Sequence, residues 1–152
     1  MDLSFKRFQR EYYQEYASWF LDPELNHRLG PMSEDWLSSI LSQEEEKGIT
    51  WVIFLNHEMV GVVETEYDPQ QILPVAIKAI AIKPARRRQG LAKAILERLL
   101  SDHYSKGIQS HCAYIKKTNE ASRHLFEGLG FMVVSEPDQN GFIELRHYRY
   151  LR

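Results

Sequence analysis

Three consecutive arginines precede a glycine in the segment Arg86–Gly90, and this is the part of the sequence best suited to hold an anion. The segment follows an apolar, strand-like run, and apolar residues recur at helical spacing after Gly90. The first turn of a helix leaves backbone N–H groups without internal partners, and the helix dipole adds positive charge there. Because Gly90 and Ala92 carry little bulk, an anion can approach this backbone closely. The pattern predicts a pyrophosphate site.

Other interpretations of the arginines start from the same residues. The sequence contains neither the G-x-x-x-x-G-K-[ST] of a P-loop nor the G-x-G-x-x-G of a dinucleotide-binding fold. Three arginines in a loop are also typical of a solvated surface or of a nucleic-acid patch. The chain has 19 Lys and Arg against 21 Asp and Glu, a formal charge of −2, so no wide basic field supports nucleic-acid binding.

The hydrophobic pattern predicts the elements that position this segment. The run Val75–Ile82 is almost wholly apolar, which is typical of a central strand buried on both faces. Ser33 and Asn119 are suited to cap helices, and Asp22-Pro23 ends one. Strands are predicted at Leu3–Phe5, Ile49–Leu55, Met59–Tyr67, Val75–Ile82, Ser110–Ile115, Phe131–Val134 and Phe142–Tyr150, and helices at Glu11–Leu21, Ser33–Gly48, Gly90–Tyr104 and Asn119–Leu129.

The whole chain of 152 residues has the length and composition of one globular domain, residues 1–152. Cys112 is the only cysteine, which favours a reducing compartment. No apolar run approaches the ~20 residues that span a bilayer, and the N-terminus lacks the basic-then-apolar order of a signal peptide. The six histidines show no metal-ligand spacing. We therefore expect a cytoplasmic protein with no metal, no membrane and no nucleic acid among its partners.

The basic segment also carries a family resemblance. Ile82–Ala92 (IKPARRRQGLA) resembles the acetyl-coenzyme A signature of the GNAT superfamily of N-acetyltransferases, whose core pattern is [Q/R]-x-x-G-x-[G/A]. The pattern is matched at Arg87, Gly90 and Ala92. Six residues alone are a weak signal.

A second segment strengthens the resemblance. Asn119–Phe131 (NEASRHLFEGLGF) is similar to the family pattern N-x-x-A-x-x-L-Y-x-x-x-G-F, with Ser122 for alanine and Phe126 for tyrosine. The two segments stand in the family's order on a strand–helix–strand–helix framework, and the match covers roughly Val60–Phe131. The chain is identified on these residues as a member of the GNAT superfamily.

The resemblance implies an α/β fold. We expect a mixed, mostly antiparallel central sheet of about six or seven strands, sandwiched by about four helices. A V-shaped splay is expected between the strands at 75–82 and 110–115.

The same resemblance implies a reaction. The chain is expected to transfer an acetyl group from acetyl-coenzyme A, as co-substrate, directly to a primary amine of a small molecule or protein, without an acyl-enzyme. In the family, backbone amides of the basic loop hold the pyrophosphate, and a backbone N–H near Ile82 polarises the thioester carbonyl. The implied cofactor-contacting residues are Ile80, Ala81, Ile82, Arg87, Arg88, Gln89, Gly90, Leu91, Ala92, Asn119, Ser122 and Phe126.

The sequence departs from the family at the catalytic groups. Phe126 replaces the tyrosine that usually protonates the thiolate, and a phenyl ring cannot donate a proton. The carboxylate that some members carry on the central strand is missing, and Tyr114 stands where others have an acid on the next strand. Glu64 is therefore a candidate base acting through water, and Tyr114 is a further candidate. His111 is a third, although a structural histidine is commoner.

These departures keep a rival function open: a coenzyme A or acyl-coenzyme A binding module of the same fold with little or no catalysis. The acceptor site is expected in the region Trp19–Trp36, whose acidic and aromatic residues suit a cationic amine. Homodimers are common among look-alikes, so a homodimer is one expectation that no particular residue requires.

Overall fold

The computed structural model describes residues 1–149 and contains one seven-stranded sheet with five α-helices. The strands are β1 (Leu3–Arg7), β2 (Gly48–Leu55), β3 (Glu58–Glu66), β4 (Val75–Ile82), β5 (Ser110–Lys116), β6 (Met132–Val133) and β7 (Phe142–Tyr148). The α-helices are α1 (Tyr13–Trp19), α2 (Pro23–Leu29), α3 (Glu34–Ser42), α4 (Leu91–Ser105) and α5 (Glu120–Gly128), and short 3₁₀ helices lie at Arg10–Tyr12 and Pro84–Arg86.

The sheet has the order β1-β2-β3-β4-β5-β7-β6, and every neighbouring pair is antiparallel except β4 with β5. The parallel pair is short. Within the described chain it joins only Val75 to His111 and Ala76 to Cys112, after which the two strands diverge. The expected mixed sheet with a splay between β4 and β5 is confirmed.

Helices cover both faces of the sheet and form two cores. On one face, α4 and α5 pack on inward residues of the strands, such as Ile53, Ile77 and Leu145. On the other face, α1–α3 bury an aromatic cluster around Tyr16 against Val62 and the neighbouring strands. No helix in residues 1–149 combines the length and apolar character needed to cross a bilayer.

The N-terminal helices differ from the prediction. In place of one helix over 11–21, the chain forms a 3₁₀ turn, then α1, and a separate α2, so there are five α-helices where about four were expected. Pro23 begins α2 at its first turn, where the missing N–H costs nothing, and the Asp22 carboxylate caps it. The Asp-Pro pair ends one helix and starts another.

Strand β4 is central, as expected, but it is not buried on both faces. Lys78 is exposed, and its Nζ lies 3.3 Å from Glu66 Oε2 on β3. The register places Glu64 opposite Ala79 and Thr65 opposite Ile77, so Lys78 is the extra residue of a β-bulge in β4. Among the described residues of β4, the core beneath α1–α3 includes Ala81, whereas Lys78 lies outside it.

The helix caps follow the sequence. The Ser33 hydroxyl accepts a bond from the Trp36 N–H (3.3 Å), and the Asn119 side chain accepts one from the Ser122 N–H (3.2 Å). Helix α3 ends earlier than predicted, because Gln43 is extended and Gly48 already opens β2. The last strand was predicted to reach Tyr150, which lies outside the described residues.

Candidate functional site

The N-terminus of α4 lies directly after the basic loop and opens to solvent. Gly90 caps the helix with φ +75°, and a Cβ placed there meets nothing within 4 Å. The Ala94 N–H bonds to the Gly90 carbonyl at 3.1 Å, so the preceding helical amides have no intrahelical acceptor. The unpaired amides and the open space beside Gly90 suit the binding of an anion.

The basic side chains of the loop are mostly engaged with carboxylates. Arg86 pairs with Glu58, and Lys83 Nζ lies 3.3 Å from the same carboxylate. Arg87 makes a bidentate contact with Asp22. Arg88 is exposed and takes a left-handed backbone (φ +63°) beside the exposed Gln89. The loop is therefore not a patch of three free arginines, and Arg88 is the one directed into solvent beside the α4 N-terminus.

The splay exposes one backbone edge of β4. The Lys83 N–H bonds to the Val60 carbonyl of β3 at 2.8 Å. Because successive N–H groups of a strand point to opposite edges, the Ile82 N–H points away from β3, into the splay. Ala81 is buried under α1–α3, while Ile80 and Ile82 are partly buried against the α4 core. An extended polar chain can add to this edge as a strand would.

Helix α5 follows β5, the strand that forms the other wall of the splay. The Asn119 side-chain oxygen caps the helix on the Ser122 N–H, which leaves the Asn119 amide N–H₂ for another acceptor. Phe126 is buried in the α4–α5 core, with its ring 5.0 Å from that of Phe131 at 83°. Leu91 is also buried, so only its backbone N–H faces the loop. Ala92 is partly buried.

Glu64 lies on the sheet face that α1–α3 cover in part. Its Oε2 accepts a bond from the Trp36 indole N–H at 3.4 Å. Burial raises the pKa of Glu64 above its ordinary value, while the Trp36 bond and the Lys78 charge oppose the shift. Sequence reasoning missed Trp36 as the partner, although Ser33 places it in the first turn of α3.

Tyr114 points to the same side of the sheet as Glu64. Its neighbours Ala113 and Ile115 are buried in the α4–α5 core, so the alternation of β5 turns Tyr114 to the opposite face. The side chain is 60% exposed, and partial burial together with the Glu144 charge raises its pKa. Glu64 on β3 and Tyr114 on β5 thus flank β4, roughly 10 Å or more apart.

His111 is buried away from this face, in contact with a second histidine. Its Nε2 lies 2.8 Å from His103 Nδ1, and the His103 Nε2 lies 3.4 Å from the Tyr67 hydroxyl. Among the described residues, His111 Nδ1 has no partner. With His111 Nε2–H donating to His103 Nδ1 and His103 Nε2–H donating to the Tyr67 hydroxyl, both rings are neutral and each ring N–H has an acceptor. His111 Nδ1 then carries no hydrogen. The pair is structural.

The pair makes stability depend on pH. Burial lowers the pKa of both His103 and His111; the Lys106 charge adds to the shift at His103, and Asp102 opposes it. Histidines in the unfolded chain titrate near 6.5, so below that pH the unfolded state binds more protons and stability falls. We expect the free energy of unfolding to drop by about 2–4 kcal/mol between pH 7 and pH 5.

Urea unfolding at stepped pH measures this drop. The variant His103→Gln removes one titrating group and should show a clearly shallower dependence. His124→Gln, at an exposed position on α5, should follow the wild type. Equal slopes in all three proteins would contradict the assignment.

Among residues 1–149, no group of three or more His, Cys, Asp or Glu side chains could hold a metal ion. The groups beside the splay are instead backbone amides, at the α4 N-terminus and at Ile82 on the β4 edge, while Glu64 and Tyr114 lie on the sheet face that α1–α3 cover in part. This donor set fits a co-substrate with a diphosphate at one end and an extended, amide-bearing arm at the other.

Comparison with known proteins identifies the family. Residues 5–131 match the model of the acetyltransferase (GNAT) family. The uncharacterized N-acetyltransferase YfmK of Bacillus subtilis is 23% identical over 131 residues, 84% of each chain.

Solved structures share the fold. The ribosomal-protein-S18-alanine N-acetyltransferase of Escherichia coli superposes with a TM-score of 0.74 at 19% identity, over 99% of this chain and 96% of that one. Spermidine N-acetyltransferase from Vibrio cholerae, solved with coenzyme A and spermine, gives a TM-score of 0.80 at 14% identity, over 97% and 95%. With the family match over most of its length, this chain belongs to the acetyltransferase (GNAT) family and is an acyltransferase.

Proposed function

We propose that residues 1–152 act as one N-acetyltransferase domain that transfers acetyl from acetyl-coenzyme A directly to a primary amine, without an acyl-enzyme. One observation carries the proposal: the open α4 N-terminus at Gly90 adjoins the free edge of β4 in the splay. The amides at Gly90, Leu91 and Ala92 would hold the diphosphate, with Arg88 adding charge. The β4 edge would hold the extended arm.

The acyl group would then lie near the Ile82 N–H. That N–H points into the splay, so it is suited to stabilise negative charge on a thioester oxygen under attack. Asn119 would contact the arm from the opposite wall through its free amide. Phe126 supplies packing beneath the site but has no proton to donate. Water therefore protonates the departing thiolate, and this step is easy at pH 7 because a thiol of pKa ~8.5 is mostly protonated at that pH.

The amine needs more help than the thiolate. A primary amine of pKa ~10.4 is almost wholly protonated at pH 7, and freeing its lone pair costs about 4.6 kcal/mol. Glu64 is the base we propose, acting through water, because it is largely enclosed, lies on the same sheet face as Tyr114 and has a raised pKa. Tyr114 is the weaker candidate, since its raised pKa disfavours the deprotonated form that a base requires.

The acceptor class stays open between small amines and protein amines. Spermine is bound in the Vibrio structure, and the Escherichia coli enzyme is named as an alanine N-acetyltransferase of ribosomal protein S18. We further propose a cytoplasmic location, where the single buried thiol of Cys112 would remain reduced.

Two measurements test the proposal. Calorimetry with coenzyme A should show saturable binding, and thiol release from acetyl-coenzyme A should rise with at least one amine of a panel containing spermine and an alanine-initiated peptide. Binding without turnover across a broad panel would favour a coenzyme A binding module, the rival that buried Phe126 supports. The absence of binding by folded protein would exclude both functions.

A further inference from the structure

The connection between α1 and α2 is joined to the basic loop by one ion pair. Asp22 Oδ1 accepts a bond from Arg87 Nη1 at 3.1 Å, and Asp22 Oδ2 accepts a second from Arg87 Nη2. Glu24 Oε2 lies 3.5 Å from Arg87 Nη1. The two partners stand 65 residues apart in the sequence, so the pair links separate parts of the fold.

The same carboxylate also caps α2. Asp22 Oδ2 accepts the Leu25 N–H at 3.0 Å, which satisfies one of the free amides at the helix start. The Arg87 guanidinium lowers the pKa of Asp22, so the carboxylate stays charged in both roles. A movement of Arg87 therefore changes the cap of α2 directly.

Helix α2 depends on such anchors. It has seven residues, of which only Leu25 is buried, and helices this short are marginal without tertiary contacts. Arg87 itself belongs to the loop that precedes the α4 N-terminus, between the 3₁₀ turn at Pro84–Arg86 and Gly90. A ligand that fixes the loop backbone restricts Arg87, and Arg87 then holds Asp22.

We propose that the Asp22–Arg87 ion pair transmits coenzyme A binding at the α4 N-terminus to helix α2, which makes Asp22 a positioning residue for the acceptor side. The inference rests on the proposed function. By linkage, whatever orders α2 also favours the bound loop, so a co-substrate and an amine that contacts α2 assist each other.

Hydrogen exchange of α2 with and without saturating coenzyme A tests this step. In the wild type, coenzyme A should slow exchange of the α2 amides, for example that of Asn26, by at least about fivefold, the lower end of typical coupling. Asp22→Asn keeps a side chain that caps helices well but loses the ion pair. Because Glu24 on α2 also contacts Arg87, Asp22→Asn is combined with Glu24→Gln, and in this double variant the α2 rates should be the same with and without coenzyme A.

Two further variants make the result decisive. Glu58→Gln breaks the Lys83 and Arg86 contacts of the same loop without touching α2, and it should retain the slowing. Arg87→Gln removes the pair from the other side and serves if the double variant does not fold. The inference is overturned if coenzyme A slows exchange of the α2 amides as much in both ion-pair variants as in the wild type. It is also overturned if saturating coenzyme A does not slow this exchange in the wild type. Either result leaves the proposed function standing. Failure of the wild type to bind coenzyme A overturns the proposed function and this inference together.

Discussion

Gly90→Glu raises the Kd for coenzyme A by about 100-fold or more, which corresponds to about 2.7 kcal/mol of lost binding free energy. The added side chain extends into the open space at the α4 N-terminus, where the diphosphate would lie. Its carboxylate repels the phosphates and competes for the same amides. Its Cβ also strains a backbone held at φ +75°. Isothermal titration with coenzyme A measures the change.

Gly107 offers a matched control on the same helix. It follows the C-terminus of α4, has φ +98°, and a Cβ there also meets nothing within 4 Å. Gly107→Glu therefore imposes a similar backbone strain and the same charge about 20 Å or more from Gly90, at the other end of a 15-residue helix. It should bind coenzyme A as the wild type does. Equal loss in the two variants would mean that strain, and not the phosphate site, explains the result.

Glu64→Gln lowers kcat by about 100-fold at pH 7 while the Kd of coenzyme A stays within about twofold of the wild type, since a general base contributes 10²–10⁴-fold. Glutamine can still accept the Trp36 indole N–H, so the contact that holds the side chain is retained. The measurement is kcat at saturating acetyl-coenzyme A, with the best amine of the panel.

The pH profile shows whether Glu64 acts as the base. As pH falls through the Glu64 pKa, the carboxylate takes up a proton and kcat falls, which gives an acid limb above the ordinary glutamate range. Trp36 stabilises the charged carboxylate through its N–H. In Trp36→Phe that bond is lost, the pKa of Glu64 rises further, and the acid limb should move to higher pH. In Glu64→Gln the limb should disappear.

Glu66→Gln is the matched control for this prediction. Glu66 lies two residues along β3, is exposed and pairs with Lys78, so its loss should change kcat less than about twofold. An unchanged kcat and pH profile in Glu64→Gln would remove Glu64 from the mechanism. Tyr114→Phe would then be the next variant to measure.

The sequence predicted the parts of the fold that depend on local pattern. The β4–loop–α4 segment has a continuous apolar run, then charge, then a glycine and apolar residues at helical spacing, and the structure contains that strand and helix within one residue of the predicted bounds. Ser33 and Asn119 cap helices as their residue types indicate, since capping is a contact with the chain a few residues ahead.

Contacts between distant segments were not predictable in the same way. Nothing in the local pattern around Asp22 or Arg87 indicates that the two side chains meet, and the arginine run alone does not indicate which of its guanidinium groups pairs with a carboxylate. The bulge at Lys78 depends on how β3 and β4 align, and the Trp36–Glu64 bond depends on how α3 packs on β3.

The sequence by itself determined the family, the seven strands in their order and the glycine at which α4 begins, because each follows from residues close together along the chain. Only the tertiary structure decided which guanidinium stays exposed, which carboxylate is desolvated and which histidines are enclosed. Burial and ion pairing arise from segments brought together by the sheet, and these set the charge and pKa of each group at the site.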